Sequence, residues 1–210
     1  MMSEARQLDN STFAQKTRLR NRVLAQAGTA GDVLETHGGF GRIFERTWYR
    51  AERGAVIERD SAKVEHLARQ RPRWAVYEGD SLTALRSGLF ASRAFDIVDL
   101  DPYGSTLTYF APLFDQHRKR PAQWWLVANC GLRHTLGLKQ AWRIEVLQDL
   151  AARLGAASDF YHRYLGVVQL LLGEHAHACG QRLAWFDGYY CGHGNNMTHY
   201  AARIEDQPLH

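Results

Sequence analysis

The stretch Asp101-Pro102-Tyr103-Gly104-Ser105 puts a carboxylate, a rigid turn, an aromatic ring and a glycine in consecutive positions. That combination suits a clamp for a flat amine. The lone pair of an amine attached to an aromatic ring is delocalised into the ring. Two acceptors aimed at its two N–H bonds pull the nitrogen toward a tetrahedral form and free that pair. Asp101 supplies one acceptor and the backbone carbonyl of Pro102 the other. Proline stiffens the turn by holding φ at about −65°. Tyr103 can stack on the ring face, a contact worth about 1–3 kcal/mol in single-strand binders. Gly104 lets the ring come close, and a reacting group held this way stands in line with its donor. Asp99, two residues earlier on the same side of the chain, reads as a supporting or capping acid.

Asp101 is also the fourth member of a series. Glu35, Glu58, Asp80 and Asp101 follow one another at intervals of 23, 22 and 21 residues. One strand, one helix and two loops take about that much chain, so the interval is architectural. The acids are not, because no fold demands a carboxylate at each of four strand ends. A helix N-cap accounts for any one of them and accounts poorly for four in step. In open parallel sheets, ligands bind outside the carboxyl ends of the strands, where these acids fall.

The elements that must position them read in alternation. Helical spacing covers residues 13–27, 42–52, 61–71, roughly 106–119 with an interruption near Pro112, 138–154 and roughly 160–178. The third of these carries Asp60 or Ser61 as N-cap and turns Val64, Leu67 and Ala68 inward. Short apolar strands lie at "GDVLE", "GAVIERD", "WAVYEGD", "FDIVDLD" and "QWWLVANCG". Two longer strands, "RLAWFDGYYCG" and "MTHYAARIE", flank "HGNN", whose Asn and Gly suit a tight hairpin. Alternating strands and helices imply a doubly wound α/β sheet. Five parallel strands would carry a C-terminal antiparallel hairpin at one edge. A single domain over residues 1–210 is expected, with 1–28 as a basic helical extension.

Five parallel strands closed by a hairpin resemble the plan of the class I methyltransferases, which use S-adenosyl-L-methionine. The resemblance implies a site for an adenosine with an amino-acid tail. Glu35, Thr36, His37, Gly38, Gly39 and Gly41 would form the turn under the methionine, with Glu35 meeting its ammonium directly or through water. Glu58, with Arg59 beside it, would accept the ribose hydroxyls, and Asp80 with Ser81 would take the adenine. Arg18 is a further candidate contact, for the methionine carboxylate. A nicotinamide dinucleotide site is the rival, but Gly39-Phe40-Gly41-Arg42-Ile43-Phe44 ends in Phe where that fingerprint needs a third glycine.

The motif "DLDPYGS" resembles that of nucleic-acid amino-methyltransferases and is similar above all to the tRNA guanine-N2 dimethyltransferase family, whose version reads Asp-Pro-Phe-Gly-Ser. This implies Asp101 and Pro102 at the amine, and Tyr103 and Gly104 against the base. The expected reaction is methyl transfer to an exocyclic amine of a nucleobase, in RNA ahead of DNA. Methylation of a small molecule or a protein stays open as an alternative, as does an inactive cofactor- or nucleic-acid-binding subunit.

Composition allows this. The chain has 210 residues, 45% hydrophobic and 23% charged, with net charge +4. There is no apolar run of about 18 residues, so no membrane span is expected, and "MMSEARQLDN" lacks an apolar signal segment. Three cysteines, Cys130, Cys179 and Cys191, suit a reduced, cytoplasmic setting. Basic residues cluster at Lys16–Arg22, Arg69–Arg73 and His117–Arg120, each able to meet phosphate. His175, His177, Cys179, Cys191 and His193 lack the paired spacing of a zinc site, and no metal is expected.

Overall fold

The computed structural model describes residues 12–116, 120–131, 133, 145–154 and 160–208. Helix α1 (Phe13–Ala27) buries Leu19, Arg20 and Val23 and ends at Gly28, whose positive φ of 77° and N–H bond to the Leu24 carbonyl stop it. Strand β1 (Asp32–Glu35) is buried along its whole length. After a glycine turn come α2 (Arg42–Arg46), a short 3₁₀ turn at Trp48–Arg50, and β2 (Arg53–Glu58). Helix α3 (Ser61–Gln70) is capped by Asp60, whose carboxylate accepts from the Ala62 and Lys63 amides. Of the three inward residues expected, Leu67 is fully buried and Val64 half-buried, whereas Ala68 is exposed.

Strand β3 (Trp74–Glu78) and α4 (Ser81–Arg86) follow, then β4 (Ile97–Leu100). A 3₁₀ turn at Leu107–Tyr109 runs straight into α5 (Phe110–Gln116). The expected interruption at Pro112 does not occur there. Pro112 stands in the first turn of α5, where its missing N–H has no intrahelical partner to lose. Strand β5 (Gln123–Cys130), α6 (Glu145–Leu154), α7 (Tyr164–Ala178), β6 (Gln181–Cys191) and β7 (Met197–Asp206) complete the chain. Residues 138–144 of the expected helix, and 117–119 of the third basic cluster, lie outside the described residues. No helix among the described residues is long and apolar enough to cross a membrane.

The seven strands form one sheet in the order β3-β2-β1-β4-β5-β7-β6. The pairs from β3 to β5 are parallel; β7 runs antiparallel to both β5 and β6. The closing pair therefore joins as expected, with the last strand inserted inside the sheet and β6 at its edge. Their connection is a five-residue turn in which Gly192, Gly194 and Asn195 all take positive φ. Apolar side chains cover both faces. α4, α5, α6 and α7 pack on one; α1, the Trp48 turn and α3 pack on the other. The chain reverses direction of travel between β1 and β4, the switch point where open sheets leave a crevice.

Candidate active site

The crevice above β1 and β4 receives most of the acids singled out in the sequence. β1 and β4 pair Glu35 with Asp99, so both project from one face on adjacent strands. Both are buried and each is answered by an arginine. Arg71 closes an ion pair on Glu35 while its guanidinium lies 4.2 Å from the Phe44 ring centre and 5.1 Å from that of Trp74. Glu35 thus faces inward onto Arg71. Burial, with Asp99 alongside, pushes its carboxyl up to about 7 against the pull of Arg71. Asp99 accepts from Arg20 Nε at 2.6 Å and from Trp48 Nε1 at 2.7 Å.

Asp101, one pleat nearer the mouth, takes both its bonds from Lys16 Nζ at 2.8 Å. Lys16 and Arg20 lie one turn apart on α1, a rise of about 6 Å. Asp99 and Asp101 lie two strand residues apart, about 6.6 Å. The two periods match, so α1 lays two cations on two carboxylates in register. Burial alone would raise the Asp101 carboxyl; the charges of Lys16 and Arg20 outweigh it and hold the group below its usual range.

Pro102 is buried and the Tyr103 ring beside it is 93% exposed, standing free at the mouth. Gly104 has a φ of 110°, which a side chain rarely adopts. Its carbonyl accepts from the Gly131 amide at 2.9 Å and the Cys130 thiol at 3.3 Å, tying this turn to the end of β5.

The glycine turn is built on the same crevice. Thr36 is buried, and both its amide and its hydroxyl donate to the Asp99 carbonyl at 3.0 Å. Gly38 leaves no room for a side chain: a Cβ there would meet Val56 and Leu67 methyls at 2.6 and 2.5 Å. The Gly39 amide donates to Glu58 Oε2 at 2.8 Å, and Gly41 starts α2 with a φ of 72°. Glu58 also accepts from the Arg59 and Asp60 amides, so it bridges the ends of β1 and β2, with Arg59 exposed beside it. Asp80 is exposed and caps α4 through the Thr83 amide at 2.8 Å, which holds its carboxyl low. Next to it, Ser81 is buried and donates to the Thr36 carbonyl.

His37 stands among these acids. Its Nδ1 meets the Thr36 hydroxyl at 2.8 Å and its Nε2 the Tyr109 hydroxyl at 3.3 Å. Burial lowers its pKa, although Asp101, Glu58, Asp99 and Asp80 all pull the other way.

The structure therefore brings Glu35, Thr36, His37, the glycines, Glu58, Ser81, Asp99 and Asp101 around one crevice, with Asp80 at its rim. Sequence reasoning missed Lys16, Arg20, Trp48 and Arg71. The signal was available for two of them in the match between Lys16/Arg20 and Asp99/Asp101 spacings, but the basic cluster invited a phosphate reading. Arg18 is exposed, and Arg22 pairs with Asp187. In the second cluster, Arg71 is spent on Glu35. Of the His and Cys residues weighed for metal, His175 stacks on Phe114 and His177 meets Gln207. Among the described residues, no group of three or more potential ligands is set to hold a metal ion.

Neither a protein-family model nor a curated protein sequence matches the chain. Solved structures do match it. Trm1 from Pyrococcus horikoshii, in complex with S-adenosyl-L-methionine, superposes with a TM-score of 0.65 at 13% identity over 92% of this chain. This chain spans only 55% of that protein's length. The N-methyltransferase NodS from Bradyrhizobium japonicum WM9, in complex with S-adenosyl-L-homocysteine, gives a TM-score of 0.60 at 13% identity, covering 95% of this chain and 90% of its own. The architecture is that of the class I methyltransferases.

Proposed function

We propose that the chain is an S-adenosyl-L-methionine-dependent methyltransferase acting on an exocyclic amine of a nucleobase, in RNA ahead of DNA. One observation carries this reading. An ionised carboxylate, Asp101, joins a buried proline and a freely exposed aromatic ring at the carboxyl end of β4, beside the switch point of a methyltransferase sheet.

The residues present fit the cofactor. The turn from Thr36 to Gly41 supplies backbone close to the crevice, kept thin by Gly38. In this reading Glu58 would meet the ribose hydroxyls, Asp80 and Ser81 the adenine, and Glu35, through Arg71, would stiffen the floor beneath the methionine. When bound, the cofactor supplies an electrophilic methyl group. The protein's part is positioning. Asp101 and the Pro102 carbonyl accept the two N–H bonds of the amine and turn its lone pair outward. Tyr103 stacks on the ring, and a base drawn from a duplex must be flipped out to reach it. Asp101, kept ionised at neutral pH, is ready to take the proton that the methylated nitrogen sheds. RNA is favoured over DNA by the resemblance of "DPYGS" to the tRNA guanine-N2 family.

Radiolabelled methyl transfer to total tRNA, rRNA, DNA, protein and a small-molecule extract, followed by nuclease digestion, tests the reading. The label should reside on a nucleobase amine. Asp101→Ala should lose about 100-fold or more in rate while keeping its affinity for S-adenosyl-L-methionine by calorimetry. Transfer by this variant at the wild-type rate would overturn the role of the turn. Label confined to protein or small molecules would overturn the substrate class.

A further inference from the structure

The first turn of α1 carries an amine of the protein's own to the Asp-Pro-Tyr-Gly turn. Lys16 Nζ donates to both oxygens of Asp101 at 2.8 Å, with only 12% of its side chain exposed. An ammonium has three N–H bonds. Asp101 takes two of them, and among the described residues no acceptor takes the third. This nitrogen stands where the reading above puts an acceptor amine, with one of its three positions unbonded.

The groups around Lys16 leave Asp101 to receive a proton from it. Arg20, one turn along, donates to the Lys16 carbonyl at 3.2 Å and is paired with Asp99. His199 on β7 is fully buried, and neither ring nitrogen has a hydrogen-bond partner among the described residues. Burial, with the charges of Arg20 and Lys16, holds its pKa down to about 3, so the imidazole is neutral and takes protons poorly. Burial also pushes the Cys191 thiol up to about 11, against the pull of Lys16, so it too is neutral. Asp101 is ionised, touches Nζ, and keeps 23% of its side chain open to water.

We propose that the chain methylates its own Lys16. This rests on the methyltransferase reading above and goes beyond its nucleobase acceptor to a residue of the protein. Arg20 and the sulfonium of a bound cofactor are like charges that disfavour the protonated amine. Lys16 gives one proton to Asp101, which passes it to water. The freed lone pair forms a bond to the methyl carbon as the carbon–sulfur bond breaks. The electron pair of that bond stays on sulfur, so the sulfonium becomes the neutral thioether of S-adenosyl-L-homocysteine. The positive charge is now on the methylated nitrogen. That nitrogen keeps two N–H bonds, the number Asp101 accepts. One methyl group therefore leaves the pair intact, whereas a second would remove one of its bonds. The product is monomethyl-lysine.

The test incubates the full chain with S-adenosyl-L-methionine carrying a deuterated methyl group and maps the label by peptide mass. One labelled methyl should appear on Lys16, and dilution of the protein should leave the rate per molecule unchanged, because donor and acceptor share one chain. Lys16→Arg should carry no label at that position. A second readout needs no transfer. Nζ beside the reacting sulfur repels the sulfonium of S-adenosyl-L-methionine but not neutral S-adenosyl-L-homocysteine. In calorimetry, Lys16→Met should therefore raise affinity for the first relative to the second by about tenfold, and Lys16→Arg, which keeps the charge, should not. An unlabelled Lys16 in a chain that methylates nucleic acid overturns this inference and leaves the methyltransferase reading intact. So does an unchanged affinity ratio in Lys16→Met. Two or three methyl groups on Lys16 overturn the part given to the Asp101 pair. Transfer to neither Lys16 nor any added acceptor overturns both readings.

Discussion

The two faces of the sheet bury polar groups in opposite ways. On the side of α4, α5, α6 and α7, the polar contacts deep in the core are neutral ones, such as Thr106 with the Tyr200 hydroxyl at 2.6 Å, Cys130 with the Tyr164 hydroxyl at 3.0 Å and Trp124 with the Gln181 amide at 3.0 Å, while the ion pair of Asp32 with Arg93 stands at the amino end of β1, away from the crevice. Around them, Phe110, Phe114, Val168 and Leu172 make an ordinary hydrocarbon core. On the side of α1 and α3, Arg20 meets Asp99, Arg71 meets Glu35 and Lys16 meets Asp101. Buried ion pairs are poor stabilisers, because the desolvation of two charges offsets their attraction. A face built this way does not owe its charges to folding, and these charges stand at the strand ends where the crevice opens. The charged pairs of this face thus gather beside the switch point of the sheet.

That division can be broken experimentally. Arg20→Ala should cost about 3–5 kcal/mol of stability in denaturant unfolding, because Asp99 is left buried and unpaired. Phe110→Ala on the opposite face should cost a similar amount, about 3–5 kcal/mol, through the cavity it opens. The two differ in how they are rescued. Replacing both charges, Arg20→Met with Asp99→Leu, should recover the part of that loss due to the unpaired charge, short of wild type by about 1–3 kcal/mol for the Trp48 indole N–H left without its acceptor, while methyl transfer stays low. If that double variant transfers methyl groups normally, the ionic face has no functional role and the contrast collapses.

The smallest effects are in pH dependence and have opposite signs for two groups on the same face. Folded Glu35 holds its proton up to about 7, against 4.5 for the unstrained group, so the folded state binds more protons between these values. Its contribution makes stability fall as pH rises through that window. Folded His199 gives up its proton until about 3, against 6.5, so the unfolded state binds more and stability rises with pH over that range. In melting curves recorded between pH 4.5 and 6.5, Glu35→Gln should make stability climb more steeply with pH and His199→Phe should make it climb less. Identical slopes in both variants would contradict the burial argument for each.

Much of this was legible in the chain itself. Strand, helix and turn periodicity placed all seven strands, and the acids expected at the carboxyl ends of the first four do stand there. Asp60 was legible as a cap for a local reason, since a cap depends on amides two or three residues away; Asp80, read for the adenine, caps α4 in the same way. What escaped were pairings across long separations. Lys16 sits 85 residues from Asp101 and Arg20 79 from Asp99, and a basic helix face looks the same whether it meets phosphate or carboxylate. His199 looked like one residue of an ordinary strand.

The order of residues alone determined the alternating α/β plan, the glycine turn and the Asp-Pro-Tyr-Gly turn, because each is set by periods of two to four residues and by local backbone geometry. Only the tertiary structure decided which carboxylates would be met by arginine, which by Lys16, and which histidine would be buried without a hydrogen-bond partner among the described residues. Those outcomes depend on where α1 comes to rest over the sheet, and on β7 being inserted between β5 and β6. No short stretch of sequence contains either fact.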